Sequence, residues 1–109
     1  MSLTYLASPY SHPDPHVREY RYRQACRAAA KLMLAGEVVF APIPHSLPIE
    51  QEMAYIQDGE FWKAQDAPYL DFCTKLAVLK LPGWDKSKGV AHEIAVALER
   101  GIPVEYLDP

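Results

Sequence analysis

Short apolar runs bounded by proline or glycine predict the strands of a sheet. They are LTYLAS (3–8), EVVFAP (37–42), KLAVLKLP (75–82) and IPVEYL (102–107), and each is bordered by residues that do not continue a strand. The run at 75–82 is almost continuously apolar, which is typical of a strand buried on both faces of a parallel sheet. The pattern therefore predicts four strands.

Helical periodicity occupies most of the remaining chain. Residues 16–34 carry an apolar face and an alanine run, and the pattern ends at a glycine. Residues 60–73 are also helical in pattern, but Pro68 interrupts them, so we expect a kink or a break there. We expect a loop over IPHSLPIEQ (43–51), and a short helix with a turn over 48–59. A last helix follows the loop that begins at Gly83.

The alternation of strands and helices predicts the fold class. It is α/β, a Rossmann/flavodoxin-like three-layer sandwich with a mostly parallel sheet of about four to five strands. A length of 109 residues corresponds to a single domain, 1–109. In such sheets ligands bind beyond the carboxyl ends of the strands, where the direction of the connections switches. That point is expected between residues 8–11, after the first strand, and residues 82–87, after the third.

Composition excludes several classes of function. The net charge of −3 and a pI near 5.7 argue against binding to a nucleic-acid backbone. The basic residues between Arg18 and Arg27 alternate with other types, which we interpret as a solvated helix face. Cys26 and Cys73 fit buried free thiols in a reducing cytoplasm better than a disulfide. No apolar run approaches 18 residues, so no membrane span is expected.

The last predicted helix places an acid beside its apolar face. At about 100° per residue, Val90, Ile94 and Ala97 share one arc, and Glu93 lies at its margin. A capping box does not explain this glutamate, because with Ser87 as N-cap the third helical residue is Val90. Glu93 is then either a surface or boundary residue, or a partly desolvated carboxylate at the crevice. In the second interpretation it can act as a nucleophile at a sugar carbon or as a general base.

The loop before this helix offers polar groups to a ligand. Ser87 supplies a hydroxyl, and Gly89 leaves backbone N–H groups accessible. The sequence GWDKSKG has neither the order of a P-loop nor that of the dinucleotide fingerprint. The loop therefore indicates a polar ligand without either phosphate-binding motif.

A second acid lies on an apolar stripe. Trp62, Asp66, Leu70 and Cys73 repeat at intervals of four, four and three, and three of these four residues are apolar. Asp66 is either a helix-terminal acid bonded to local backbone or a functional group turned toward the crevice.

The remaining candidates are rings and histidines in loops. His45 follows the second strand and could contact a base or a phosphate, or be held by local hydrogen bonds. Trp84 could be a platform on which a base stacks, or an interface residue. His12, Asp14 and His16 resemble a metal-binding group, but their spacing matches no established metal pattern, and we expect no metal site.

Four motifs appear together and in order: YLASPYS, FAPIPHS, W-x3-D-x3-L-x2-C and S-x-G-x3-E-I-x-x-A. In this combination the chain resembles the nucleoside 2-deoxyribosyltransferase-like superfamily, which includes the deoxynucleoside monophosphate N-glycosidases. The likeness covers nearly the whole chain and is greatest to short, largely uncharacterised members.

This resemblance implies roles for individual residues. Glu93 matches the nucleophile that attacks the anomeric carbon, and Asp66 matches the helix acid that protonates or positions the base. Tyr5 matches a tyrosine near the sugar or the nucleophile, and Ser87 matches a position that contacts the ligand. No cofactor or metal is implied.

The chain departs from the phosphate-reading members at the end of the first strand. Those members carry Gly-Ser-x-Arg, whereas this chain has Ser8–Ser11 without an arginine. Ser8 stays a candidate for substrate binding. A 5′-monophosphate would need Arg18, Arg21 or Lys88 in place of the missing arginine.

Together these features predict an N-glycosidic-bond enzyme of the transferase or the nucleoside/nucleotide hydrolase type. The alternative is a non-catalytic binder of nucleotides or nucleotide-derived ligands on the same fold. We expect a cytoplasmic homo-oligomer, dimer or tetramer, that binds neither nucleic acid nor membrane.

Overall fold

A computed structural model describes residues 2–109, which form a four-stranded sheet between helices. The strands are β1 (Thr4–Ala7), β2 (Val39–Phe40), β3 (Lys75–Leu79) and β4 (Val104–Leu107). Their order across the sheet is β2-β1-β3-β4, and every neighbouring pair is parallel. The predicted α/β class is confirmed, with four strands.

Four α-helices connect the strands: α1 (Pro15–Leu34), α2 (Pro42–Glu50), α3 (Gly59–Phe72) and α4 (Lys88–Glu99). Polar side chains begin three of them. Asp14 accepts a hydrogen bond from a backbone N–H of α1, Asp58 from one of α3, and Ser87 from one of α4. Each of these bonds satisfies a donor that the helix itself leaves free.

The two faces of the sheet bury different side chains against different helices. On β3, Leu76 and Val78 point to a core that includes residues of α3 and α4, whereas Ala77 and Leu79 point to a core that includes Ala29 of α1. This alternation follows from the period of two in a strand. Both faces are therefore covered, and the fold has three layers.

The connections reverse direction between β1 and β3. The unit β1-α1-β2 extends to one edge of the sheet, and the unit β3-α4-β4 extends to the other. Because α1 and α4 cover opposite faces, the chain diverges at the carboxyl ends of β1 and β3 and leaves a crevice there.

The segment 43–51, predicted as a loop, is mostly helix α2, so that prediction is wrong. Pro42 is the first helical residue, and Pro44 also falls in the first turn, where N–H groups have no intrahelical acceptor. Pro48 lies inside α2, but the helix ends two residues later, at Glu50. Prolines that were interpreted as breakers are thus compatible with a helix of nine residues.

Other boundaries also differ from the predicted ones. α3 runs through Pro68 without a break, and the buried Leu70 lies two residues beyond it. β2 has only two residues, and β3 ends at Leu79 because the N–H of Leu81 turns back to the Leu79 carbonyl at 2.9 Å. Among residues 2–109 no helix is both long and apolar enough to cross a membrane. Cys26 and Cys73 are free.

Candidate active site

A cleft of about 1160 Å³ opens at the carboxyl ends of β1 and β3. Ser8 and Tyr10 line it from the end of β1, and Gly83 and Ser87 line it from the segment after β3. This is the position predicted from the reversal of the connections. The volume exceeds the roughly 300 to 1,000 Å³ that is usual for small-molecule sites, so a ligand of nucleotide size fits.

Tyr5 and Glu93 form a polar contact between β1 and α4 in this cleft. Tyr5 lies on β1 and is 1 % exposed, and Glu93 lies in the second turn of α4, 88 residues further along the chain. The Tyr5 hydroxyl donates a hydrogen bond to Glu93 Oε2. Burial and the Glu93 charge raise the pKa of Tyr5, so its phenol keeps the proton that it donates.

The environment of Glu93 moves its titration to neutral pH. Burial raises the pKa of Glu93 to about 7, the hydrogen bond from Tyr5 acts in the opposite direction, and the charge of Asp66 raises it further. A carboxyl group with this pKa is present in both protonation states near neutrality.

Asp66 lies on the part of the cleft wall that α3 contributes, on the predicted stripe of that helix. Trp62, Asp66 and Leu70 all line the cleft, whereas Cys73 is buried in the core. Burial raises the pKa of Asp66 to about 6. Its charge acts on Tyr5 and on Glu93, so the three groups belong to one electrostatic cluster.

The small polar residues predicted for substrate binding also line the cleft. Ser8, Ser87 and Gly89 are all on its wall. The Ser87 Oγ accepts the Val90 N–H at 3.2 Å, so the hydroxyl keeps its own hydrogen for a ligand. This also places Ser87 as the N-cap, as the spacing predicts.

His45 and Trp84 do not line the cleft, in contrast to the prediction. His45 lies on α2 with its ring 5.3 Å from that of Phe40 and 6.3 Å from that of Tyr69, beside a separate cavity of about 140 Å³. Trp84 begins a short 3₁₀ turn, and its ring lies 5.5 Å from that of Tyr106. Each ring thus has aromatic neighbours from other elements at tilted angles, and neither ring lines the cleft.

Several residues of the cleft were missed at the level of sequence. Ile43 and Leu47 contribute from α2, which was predicted to be a loop. The Trp62 indole donates to Glu50 Oε2 at 2.8 Å, which links α3 to the end of α2. Trp62 could have been found, because it belongs to the same stripe as Asp66.

Arg21 corrects the interpretation of residues 18–27 as a wholly solvated face. Its side chain lines the cleft and is nine-tenths buried, and Nη1 donates to the Ser11 carbonyl at 3.0 Å while Nη2 donates to the Pro82 carbonyl at 2.9 Å. The buried residues of α1 are Arg21, Ala25 and Ala29, at a spacing of four, so Arg21 lies on the buried face of the helix.

The His12–His16 segment is organised by local hydrogen bonds. His12 Nδ1 accepts the Asp14 N–H at 3.0 Å, and Asp14 Oδ1 accepts the His16 N–H at 2.9 Å. Within residues 2–109, no three His, Cys, Asp or Glu side chains are grouped so as to hold a metal ion.

Comparisons with known proteins place this chain. Its fold is similar to the solved structure of a 2-deoxyribosyltransferase from the psychrotolerant bacterium Bacillus psychrosaccharolyticus, with a TM-score of 0.73 and 24 % identity over 99 % of this chain and 73 % of the other. No curated protein matches the sequence. The family model described as "Domain of unknown function (DUF1937)" matches residues 2–108, and the chain therefore belongs to the DUF1937 family.

Proposed function

We propose that this protein cleaves the N-glycosidic bond of a nucleoside or nucleotide, with Glu93 as the nucleophile. The observation that carries the proposal is the cluster of Tyr5, Glu93 and Asp66 in a cleft at the strand tips. The fold shared with a protein described as a 2-deoxyribosyltransferase supports the same chemistry.

In the first step, a Glu93 carboxylate oxygen forms a bond to the anomeric carbon while the bond from that carbon to the base nitrogen breaks. The base leaves with the electron pair and takes the proton of Asp66. The transition state resembles an oxocarbenium ion, which a nearby carboxylate stabilises. Burial raises the pKa of Asp66 to about 6, so it holds a proton more readily than an exposed aspartate, and because the pKa of Glu93 is about 7 the form with Glu93 ionised and Asp66 protonated is the minor singly protonated form.

Tyr5 is a positioning residue in this scheme. Its hydroxyl occupies Glu93 Oε2, which leaves Oε1 as the attacking atom. Because its pKa is raised, Tyr5 stays protonated throughout and holds the carboxylate in one orientation.

In the second step, the glycosyl–Glu93 ester is cleaved by an acceptor. With water as acceptor, ionised Asp66 takes a proton from the water, the new oxygen–carbon bond forms, and Glu93 leaves as a carboxylate. With a second base as acceptor, a base nitrogen forms the new bond to the anomeric carbon, ionised Asp66 takes the N–H proton of that base, Glu93 leaves as a carboxylate, and the reaction is a transfer. Both acceptors fit a cleft of about 1160 Å³.

The test is the release of free base, measured by chromatography, from a panel of deoxynucleosides and deoxynucleotides with and without an added acceptor base. We expect turnover by the wild type, and a loss of at least roughly 1,000-fold in Glu93→Gln. Glu99→Gln, on the exposed side of the same helix, is the matched control and should keep full activity.

Thermal stabilisation by these compounds, with no base released by either the wild type or the Glu93→Gln variant, would contradict the enzymatic proposal. It would instead identify a non-catalytic nucleotide binder on the same fold.

A further inference from the structure

Glu50 is an acid on the cleft wall that no cation of the described chain neutralises. It is the last residue of α2, it is partly buried, and it lines the cleft. None of the ion pairs among residues 2–109 includes it, and the Trp62 indole donates to its Oε2 at 2.8 Å. A neutral N–H group orients a carboxylate without cancelling its charge. The charge of Glu50 therefore stays available to a ligand.

The other acids of the cleft wall already have partners or a role. Glu93 accepts the Tyr5 hydroxyl, and Asp71 pairs with Arg100 at 2.9 Å. Asp66 is the proton donor of the proposed mechanism. Glu50 is thus the acid of this wall whose free oxygen, Oε1, is held in place without an assigned task.

The hydrogen bond from Trp62 places the Glu50 carboxylate on the same wall as Asp66. Trp62 and Asp66 are four residues apart on α3 and both line the cleft. Side chains at this spacing are neighbours on a helix, with Cβ atoms about 5 to 6 Å apart. The wall therefore offers a ligand a proton donor at Asp66 and, beyond the Trp62 indole, an oriented acceptor at Glu50.

A donor followed by an acceptor is complementary to one edge of adenine. That edge carries the N7 acceptor and the N6 amino donor next to each other, whereas a 6-oxopurine carries two acceptors there. A proton delivered to N7 also lets a purine leave as a neutral base, because N9 takes the electron pair of the broken bond to the anomeric carbon.

We propose that Glu50 determines base specificity by accepting a hydrogen bond from the amino group of a 6-aminopurine. The substrate class is then an adenine nucleoside or nucleotide. This assignment rests on the proposed function, because it takes Asp66 as the group that protonates the base. The N6 amino group donates to Glu50 Oε1 while Trp62 holds Oε2. A 6-oxo group would face the carboxylate with a lone pair and leave it without a donor, which is unfavourable.

Calorimetric titration of the Glu93→Gln protein measures binding apart from turnover. The ligands are 2′-deoxyadenosine and 2′-deoxyinosine, each also as its 5′-monophosphate, so that each pair differs in the purine 6-substituent. We expect the adenine member to bind at least roughly tenfold more tightly. Adding Glu50→Gln should bring the two members within about threefold, because an amide can present either its oxygen or its NH₂ group. Adding Glu52→Gln should keep the preference, since Glu52 is exposed and lies outside the cleft wall.

A cycle of protein and ligand changes separates direct contact from an indirect effect. If Glu50 contacts the amino group, the loss from Glu50→Gln and the loss from exchanging amino for oxo are not additive. Trp62→Phe keeps an aromatic ring but removes the N–H donor, and it should also lower the adenine preference.

Three results would overturn the proposal: equal affinity for both members of each pair, a preference that survives Glu50→Gln, and additive losses in the cycle. In the last two cases Glu50 would serve only to link α2 to α3. A preference left unchanged by Trp62→Phe would overturn the part of the proposal that assigns the positioning of Glu50 to the indole.

The outcomes also distinguish this proposal from the proposed function. Release of adenine and hypoxanthine at equal kcat/KM, with no difference in affinity, keeps the glycosidase and removes the base assignment. An adenine preference that depends on Glu50, with no base released by the wild type, keeps the base site and removes the glycosidase. No binding of any of the four ligands, together with no release of base, would remove both.

Discussion

The carboxyl groups of Glu93 and Asp66 are both partly buried, unlike those of exposed acids. Burial raises the pKa of the first to about 7 and of the second to about 6. Because the charge of Asp66 also raises the pKa of Glu93, the two titrations are coupled and the apparent values belong to the pair. This property leads to two predictions at the scale of the residue.

The first prediction concerns the dependence of kcat/KM for base release on pH. In the proposed mechanism Glu93 is ionised when it attacks and Asp66 is protonated when it donates, so kcat/KM should pass through a maximum between about pH 6 and about pH 7. Asp66→Asn cannot donate an acidic proton, and its profile should lose the alkaline limb and rise to a plateau. The measurement is base release from pH 4.5 to pH 9. An alkaline limb that persists in Asp66→Asn would exclude Asp66 as the acid.

The second prediction concerns the dependence of the free energy of unfolding on pH. The pKa of Glu93 in the folded protein, about 7, lies above the ordinary value of 4.5. The protonated form therefore stabilises the fold below about pH 4.5, and this contribution is lost as the pH rises through about 7. Glu93→Gln should raise the free energy of unfolding at pH 8 by on the order of 1 to 2 kcal/mol, and change it little at pH 4.5.

Urea denaturation at the two pH values measures this difference. Glu99→Gln, which is exposed on the same helix, should show no such dependence on pH. An equal effect of Glu93→Gln at both values would mean that its carboxyl is hydrated in the folded protein.

At the scale of the element, the turn after β3 depends on Gly83. Its φ of +91° is in the region that side chains avoid, and a Cβ there would lie 2.6 Å from Arg21 Nη2. Gly36 is the matched comparison, since its φ is +96° and no atom lies within 4 Å of an added Cβ.

Both Gly83→Ala and Gly36→Ala should destabilise the fold by about 1 to 2 kcal/mol through backbone strain. Gly83→Ala should lower the free energy of unfolding more than Gly36→Ala does, because the close contact with Arg21 adds to the backbone strain. Denaturation curves of the two variants give the difference. Equal losses would show that the guanidinium moves aside without cost.

The elements also show what the sequence could and could not predict. The stripe of Trp62, Asp66 and Leu70 could be predicted, because helical spacing alone places these residues on one face. Helix α2 could not be predicted, because a proline such as Pro42, its first residue, is as typical of the end of a strand or helix as of the start of a helix. The burial of Arg21 depends on carbonyls near residue 11 and at residue 82, which local periodicity does not contain.

At the scale of the whole molecule, the position of the cleft followed from the order of strands and helices. Parallel strands bring their carboxyl ends to one edge, so the reversal of connections is enough to locate the crevice. Its depth and its mixture of charges depend on loops packing against each other, and no pattern along the chain encodes that. For this reason Glu93 and Asp66 could be predicted beside the cleft, where they lie, whereas Trp84 and His45 were also predicted there and do not line it.

The surface leads to a prediction about assembly. Several large apolar side chains are exposed in the single chain, among them Leu34 at 89 %, Ile56 at 86 % and Phe72 at 80 %. Self-association would remove them from water, and we expect a homo-oligomer, dimer or tetramer. Light scattering coupled to size exclusion measures the mass, and a single species of 12.3 kDa would contradict this expectation.

The link from Arg21 to the Pro82 carbonyl, beside a glycine that leaves room for the guanidinium, has an implication for sequence change. Positions 21 and 83 share one small volume, so a side chain at one restricts what the other can hold. A variant that shortens residue 21 should tolerate alanine at 83 better than the parent does. Substitutions at positions 21 and 83 would then be coupled. A change at one position alone would destabilise the fold, and a matching change at the other would restore stability.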